Sequence, residues 1–191
     1  RDEFRVKNFF GRTLGGEIAL SGVIKSLMDN PVLEGEADLR GIDASGIEWT
    51  KILGPALPDL RGKVDLKLAG AGGLSSIKLC GEAEITKGAV DRFEFDRMKT
   101  QFSWDGQRLT SRFRGQKEEG VISGGGWLEP QSEEYSGDLM ISNMQVDPGW
   151  FSGGSYSSFQ GTFNGSAQIR SGLKGPEGQG WIDLSELAYQ Q

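Results

Sequence analysis

The chain has 191 residues, among them 30 Gly, one Cys and no His, and its formal net charge is −6. The absence of His excludes a Ser-His-Asp or Cys-His nucleophile pair, a His-bearing zinc site and an imidazole pH switch. Cys80 has no second Cys with which to form an internal disulfide. The acidic balance argues against nucleic acid and anionic lipid head groups as partners. No apolar run approaches the ~20 residues of a membrane-spanning helix.

Alternation of apolar and polar residues runs along most of the chain and predicts β-strands with one wet face. In chain order, the alternating segments are 63–68, 77–86, 108–115 and 159–165. Turn signals fall at 29–31, 70–73, 105–106 and 153–155. Asp105 and Gly106, between Phe102 and Leu109, give the clearest hairpin signal.

One short helix is predicted, over residues 45–53. Trp49, Ile52 and Leu53 share a face at helical spacing, and Asp43 or Ser45 is the expected cap. Gly54 and Pro55 end the segment. Because so short a helix does not persist alone, we expect it to dock on an open end or edge of the sheet.

The glycines reveal an internal repeat. They recur at offsets of 99, 102 and 104 residues: Gly62 with Gly161, Gly81 with Gly180, Gly35 with Gly137, and Gly16 with Gly120. The chain is therefore expected to hold nearly two copies of a unit of about 100 residues, at about 16–115 and 120–191. Because it starts at Arg1 with neither Met nor a signal peptide, we expect it to be a fragment of a longer protein.

These repeats resemble those of AsmA-like and TamB-like proteins. The residues that carry the resemblance are 35–43, 49–53, 60–70, 77–90 and 120–128. The resemblance implies a mainly β fold: an elongated, curled antiparallel sheet, or β-taco, with an apolar groove and one or two short helices. It also implies a periplasmic protein of the Gram-negative envelope, tethered to the inner membrane through a segment absent here. Such proteins are linked to phospholipid transport to the outer membrane, and the TamB branch also to outer-membrane protein assembly.

A groove of this kind needs an aliphatic lining and no catalytic residue, cofactor or metal. Each methylene that leaves water contributes about 0.8 kcal/mol without directional preference, so a uniform lining lets an acyl chain slide. The expected lining residues are Val64, Leu66, Leu68, Ile77, Leu79, Ile85, Phe93, Phe95, Leu109, Phe113, Leu139, Ile141 and Phe163.

Other features have ordinary structural explanations beside functional ones. Glu82 and Glu84 suggest a carboxylate dyad or a Ca²⁺ site, but their i, i+2 spacing favours a solvated strand face. Cys80 shares that polar face. A basic stripe is suited either to phosphate head groups or to a charged outer face: Arg108, Arg112 and Arg114.

Three classes of function remain open. The first is a lipid-conducting groove, whose partners are phospholipid acyl chains and adjacent repeats of the full-length protein. The second is a structural or protein-binding β module, whose partner is a strand or an outer-membrane protein. The third, a carboxylate-based glycan hydrolase, has the least support, because no paired acids lie at strand ends beside aromatic platforms. We expect a non-enzyme with exposed edge strands that tend to self-associate.

Overall fold

The computed structural model describes residues 2–26, 29–47, 60–73, 76–90, 93–145, 159–172 and 175–189. They form one sheet of eleven antiparallel strands, in which each strand pairs with its neighbours in sequence. The first and last strands do not pair in the described part, which confirms the expected fold class of an open, curled antiparallel sheet. The strands are β1 (Glu3–Thr13), β2 (Gly16–Lys25), β3 (Val32–Asp43), β4 (Leu60–Gly73), β5 (Lys78–Val90), β6 (Phe93–Trp104), β7 (Leu109–Lys117), β8 (Gly120–Glu129), β9 (Glu134–Gln145), β10 (Phe159–Gly172) and β11 (Gly175–Tyr189).

The hairpin predicted at Asp105 and Gly106 is confirmed between β6 and β7. The Asp105 backbone N–H donates to the Arg108 carbonyl oxygen over 3.2 Å. Gly106 has a φ of +105°, which glycine adopts without strain. The turn predicted at 29–31 lies between β2 and β3, and the one predicted at 153–155 lies outside the described residues.

The helix predicted over residues 45–53 does not begin where expected. The chain forms a single 3-10 turn, Ala44–Gly46, and Ile47 is already extended, with φ −100° and ψ 125°. Asp43, one of the two expected caps, caps this turn: its carboxylate accepts hydrogen bonds from the Ser45 backbone N–H at 3.0 Å and hydroxyl at 2.6 Å. Residues 48–53 lie outside the described part of the chain.

The buried apolar side chains lie at one end of the sheet, which we call the buried end. In the described chain they are Ile42, Ala44, Ala89, Phe95 and Met144, near the ends of β3, β5 and β9 and the start of β6. The whole chain exposes 13606 Å², whereas a compact monomer of 20.7 kDa exposes about 9,000 Å². A single layer therefore leaves much of the sheet open to solvent.

A left-handed residue lies at the buried end of every odd-numbered strand. The six have φ between 48° and 63°: Leu14, Gly41, Lys87, Glu118, Asn143 and Glu186. Side chains of the next strand compensate two of them: the Gly41 N–H donates to Asp65 Oδ1 at 2.7 Å, and the Asn143 N–H donates to Asn164 Oδ1 at 2.8 Å. Since this conformation costs a non-glycine residue about 1–2 kcal/mol, its recurrence indicates a regular structural device that bends the strands.

These left-handed residues recur at the spacing of the glycines. Glu118 follows Leu14 by 104 residues (118 − 14), Asn143 follows Gly41 by 102 (143 − 41), and the third pair differs by 99 (186 − 87). Strands β1–β5 thereby match β7–β11 in order, with β6 between them. The match agrees with a repeat of about 100 residues and corresponds to a period of six strands. It begins the second unit at β7, ahead of the expected start near residue 120.

Two glycines within strands lie under large side chains of the neighbouring strand. A Cβ built on Gly81 would lie 2.8 Å from the ring of Phe102, its direct cross-strand partner. A Cβ on Gly70 would lie 2.6 Å from the side chain of its partner Leu79. The glycine lets the larger side chain lie flat over the backbone. Gly70 thus belongs to β4, and the turn predicted at 70–73 is wrong.

We expect Gly81→Ala to lower the free energy of unfolding by about 1–3 kcal/mol, because the new methyl would overlap the Phe102 ring and the Lys67 carbonyl oxygen, 2.5 Å away. Gly137→Ala is the matched control, since its methyl would lie 3.4 Å from the Gly125 carbonyl oxygen. Urea denaturation of both variants measures the effect. Equal midpoints would contradict close packing at Gly81.

Candidate functional site

Cross-strand pairing sorts the side chains of this sheet into two faces, because directly opposed residues of an antiparallel pair point to the same side. One of them, the apolar face, contains the aliphatic residues of β4 and everything that pairs with them. Ten of the thirteen predicted lining residues lie on it: Val64, Leu66, Leu68, Leu79, Ile85, Leu109, Phe113, Leu139, Ile141 and Phe163.

The other three predicted lining residues lie at the ends of strands. Ile77 precedes β5 and is half-buried beside Gly72, whose built Cβ would lie 3.1 Å from the Ile77 Cα. Phe93 and Phe95 begin β6 at the buried end, with ring centroids 6.3 Å apart. Phe95 is only 4% exposed, so it is a core residue there and presents no surface to a ligand.

The apolar face also contains large residues that the sequence analysis did not single out. Phe102 was predictable, because it alternates with Trp104 just ahead of the turn predicted at 105–106. The alternation of apolar and other residues within residues 16–25 likewise indicated a strand that contributes to this face. The added members are Phe9, Ile18, Leu20, Leu39, Met98, Phe102, Trp104, Leu128, Ile169 and Ile182.

The centre of the apolar face is free of charge. Four cross-strand rows pass through residues 64, 66, 68 and 70 of β4, and in the described strands they contain no charged side chain. Their polar members are Thr100, Ser111 and Tyr135. At a strand spacing of about 4.8 Å, eleven strands extend the surface over about 48 Å.

The opposite, polar face carries ion pairs across its strands. Lys67 Nζ lies 3.5 Å from Glu82 Oε1, and Glu84 pairs with Arg97 and with Lys99, whose Nζ lies 3.4 Å away. Each of the two acidic residues thus has a cationic neighbour on an adjacent strand. Across the described ranges, no three Asp, Glu or Cys side chains are grouped as a metal site.

The predicted basic stripe divides into two environments. Arg108 lies 2.5 Å from the Glu129 carboxylate and 4.3 Å from the centre of the Trp127 ring. Arg112 and Arg114 line a depression on the polar face, among other charged side chains. Other depressions are lined by polar-face residues together with residues of the apolar face, among them Phe102 in one and Trp104 in another.

Ion pairing lowers the pKa of two polar-face carboxylates. The pKa of Glu84 lies below its usual value mainly because Arg97 donates a hydrogen bond to it. The pKa of Asp38 is lowered mainly by a hydrogen bond from Arg40, at 2.6 Å. Both carboxyl groups are solvent-accessible, so each pair contributes modestly to stability.

No family model, curated protein or solved structure matches this chain, and the functional interpretation therefore depends on the two faces of the sheet. Within the described residues, no helix has the length and apolar character needed to cross a membrane.

We expect the chain to lose stability as the pH falls below about 4.5, through the usual pKa range of Asp and Glu. A carboxylate with a lowered folded-state pKa binds fewer protons when folded, so its stabilisation is present above the unfolded pKa and lost as pH falls through the folded one. Urea midpoints between pH 2 and 7 measure this. Glu84→Gln should flatten the acid limb more than Glu36→Gln, which removes a carboxylate without a described ion pair.

Proposed function

We propose that the chain is a segment of an envelope protein whose apolar β-groove binds phospholipid acyl chains and conducts them between the inner and outer membranes. The observation that carries this proposal is the apolar face, whose charge-free rows through Leu66 and Leu68 cross all eleven strands without a covering layer in the described residues. Exposed apolar area costs roughly 25 cal/mol per Å² in water. An apolar occupant removes that cost.

The size of the effect is sufficient to hold a lipid. A dozen methylenes that leave water for this face contribute up to about 10 kcal/mol. The attraction does not depend on orientation, and the rows offer aliphatic and aromatic side chains, with uncharged glycine positions between them. An acyl chain therefore meets low barriers as it moves from strand to strand. Such movement requires no catalytic residue, cofactor or metal.

The resemblance to AsmA-like and TamB-like proteins supplies the proposed setting. There the groove lies in the periplasm, is tethered to the inner membrane and continues into adjacent repeats. The open sheet fits such a place, because neither β1 nor β11 is closed off by a partner strand in the described part.

The second candidate is a lipid-free module that binds protein strands and assists outer-membrane protein assembly. The edge strand β1 favours it, since Phe9 and Phe10 are 51% and 76% exposed on opposite faces. An edge with apolar side chains on both sides is suited to strand addition.

Native mass spectrometry of the purified chain, followed by lipid extraction, separates the two candidates. We expect co-purified phospholipid and saturable uptake of a fluorescent fatty acid. A folded chain that carries no phospholipid and takes up no fatty acid would contradict the lipid proposal and favour the protein-binding module.

We expect Leu66→Arg to reduce fatty-acid uptake at least tenfold while changing the free energy of unfolding by less than about 1.5 kcal/mol, because an open face hydrates the new charge. The control is Ala69→Arg, which places the same side chain in β4 on the polar face, opposite Glu36 and Cys80. Fluorescence titration and urea denaturation measure both. If Leu66→Arg unfolds the chain, the face is a closed core.

A further inference from the structure

The outer edge of β11 has no neighbouring strand among the described residues. Trp181 on the polar face is 57% exposed, and Ile182 on the apolar face is 69% exposed. Free edges of natural sheets are typically protected by charges, proline or bulges. Strand β11 has such protection at Pro176, Glu177 and Glu186, towards its two ends. Between them, Trp181 and Ile182 place two large apolar side chains side by side on opposite faces, as in a strand that is covered on its outer side.

Strand β11 relates to β10 as β5 relates to β4. Leu184 lies opposite Phe163 as Ile85 lies opposite Val64, with each residue of the later pair 99 positions further along. The left-handed residues of β5 and β11 match at the same offset. Because β5 has an outer neighbour in β6, it shows what a partner would supply to β11.

Strand β6 makes two specific contacts with β5 through direct cross-strand partners, beside the diagonal ion pair of Arg97 with Glu84. The Phe102 ring covers Gly81, where a built Cβ would lie 2.8 Å from the ring. On the polar face, Lys99 Nζ lies 3.4 Å from the Glu84 carboxylate. Both contacts join direct cross-strand partners.

The corresponding positions on β11 are Gly180 and Asp183, and both lack such contacts in the described structure. The three atoms nearest to a Cβ built on Gly180 all belong to β10, beginning with the Ser166 carbonyl oxygen at 2.5 Å and the Ala167 Cα at 3.2 Å. Asp183 lies opposite Asn164 of β10 and has no described cationic partner. One apolar and one ionic contact are therefore missing at the same edge.

We propose that the outer edge of β11 is a docking site for an antiparallel strand with the residue pattern of β6. The strand comes from a polypeptide segment outside these 191 residues. It places an aromatic ring over Gly180, a cation opposite Asp183 and an apolar side chain opposite Leu184. The proposal depends only on the strand register and is independent of lipid binding.

The direction of the strands argues against a second copy's β1 as the occupant. With eleven antiparallel strands, β1 and β11 run the same way, so head-to-tail pairing of two copies would produce a parallel ladder. One intervening strand restores antiparallel pairing, and a six-strand period places a β6-like strand there.

A synthetic β6 peptide, Phe93–Trp104, tests the site on the full chain in a Cys80→Ser background. Ile182 of the chain is the equivalent of Ala83 in β5. A peptide with Thr100→Cys should therefore form a mixed disulfide with the Ile182→Cys chain at least tenfold more efficiently than with the Trp181→Cys chain. A one-residue slip places the two thiols on opposite faces. Phe9→Cys on β1 is the control for the other edge.

Capture by Ile182→Cys in this register supports the proposal. No capture, capture only by the slipped position, or capture only by β1 overturns it. A disulfide-linked homodimer of the Ile182→Cys chain in the absence of peptide also overturns it, in favour of two-fold pairing between copies.

A charge exchange tests the ionic contact. Asp183→Lys should weaken peptide binding about tenfold, and a peptide with Lys99→Glu should restore it. Gln179→Lys is the control, because its equivalent partner on β6 is Ser103 and binding should change less than twofold. Circular dichroism confirms that each variant folds. If Asp183→Lys and Gln179→Lys weaken peptide binding equally, and the Lys99→Glu peptide does not restore binding to Asp183→Lys, the proposed register is contradicted.

Discussion

A single layer of strands cannot bury its own apolar face, and this constraint governs the rest of the structure. In a sandwich a second sheet covers the inner face at about 10 Å, but here all eleven described strands belong to one sheet. The large side chains of the apolar face therefore pack on their neighbours in the plane and on the glycines between them, as Phe102 does on Gly81. Among the described residues, the buried apolar side chains are confined to the end of the sheet where Ile42, Phe95 and Met144 lie.

Such a sheet must obtain its stability mainly from the ladder and from contacts along its surface. Ion pairs across the polar face, such as that between Lys67 and Glu82, are exposed and individually weak. The buried end adds the more specific contribution, because Asp65 and Asn164 each satisfy a backbone N–H that a left-handed residue removes from the ladder. An apolar occupant would add stability by mass action, so lipid binding and folding are thermodynamically coupled in the proposed function.

Period-two alternation was sufficient to predict the strands around residues 63–68, 77–86, 108–115 and 159–165 and ten residues of the apolar face, because it depends only on which side chains avoid water. It could not predict that residues 70–73 continue β4, since a run of glycines signals a turn until the covering side chain of Leu79 is known. It could not place Phe95 in the core either, because the left-handed Lys87 on the paired strand has no sequence signature. The helix expected from Trp49, Ile52 and Leu53 shows that helical spacing alone does not fix a helix start.

On the proposed six-strand repeat, the second unit is displaced along the strands relative to the first. Leu39 belongs to the cross-strand row of Leu66, yet its counterpart Ile141, 102 residues later, belongs to the row of Val64. The shift is two residues, or about 7 Å. A ligand that follows equivalent side chains therefore moves obliquely to the ladder, and the buried end advances with it. Stagger of this kind accompanies the curling of a sheet, so repeated units would form a groove that winds as it lengthens.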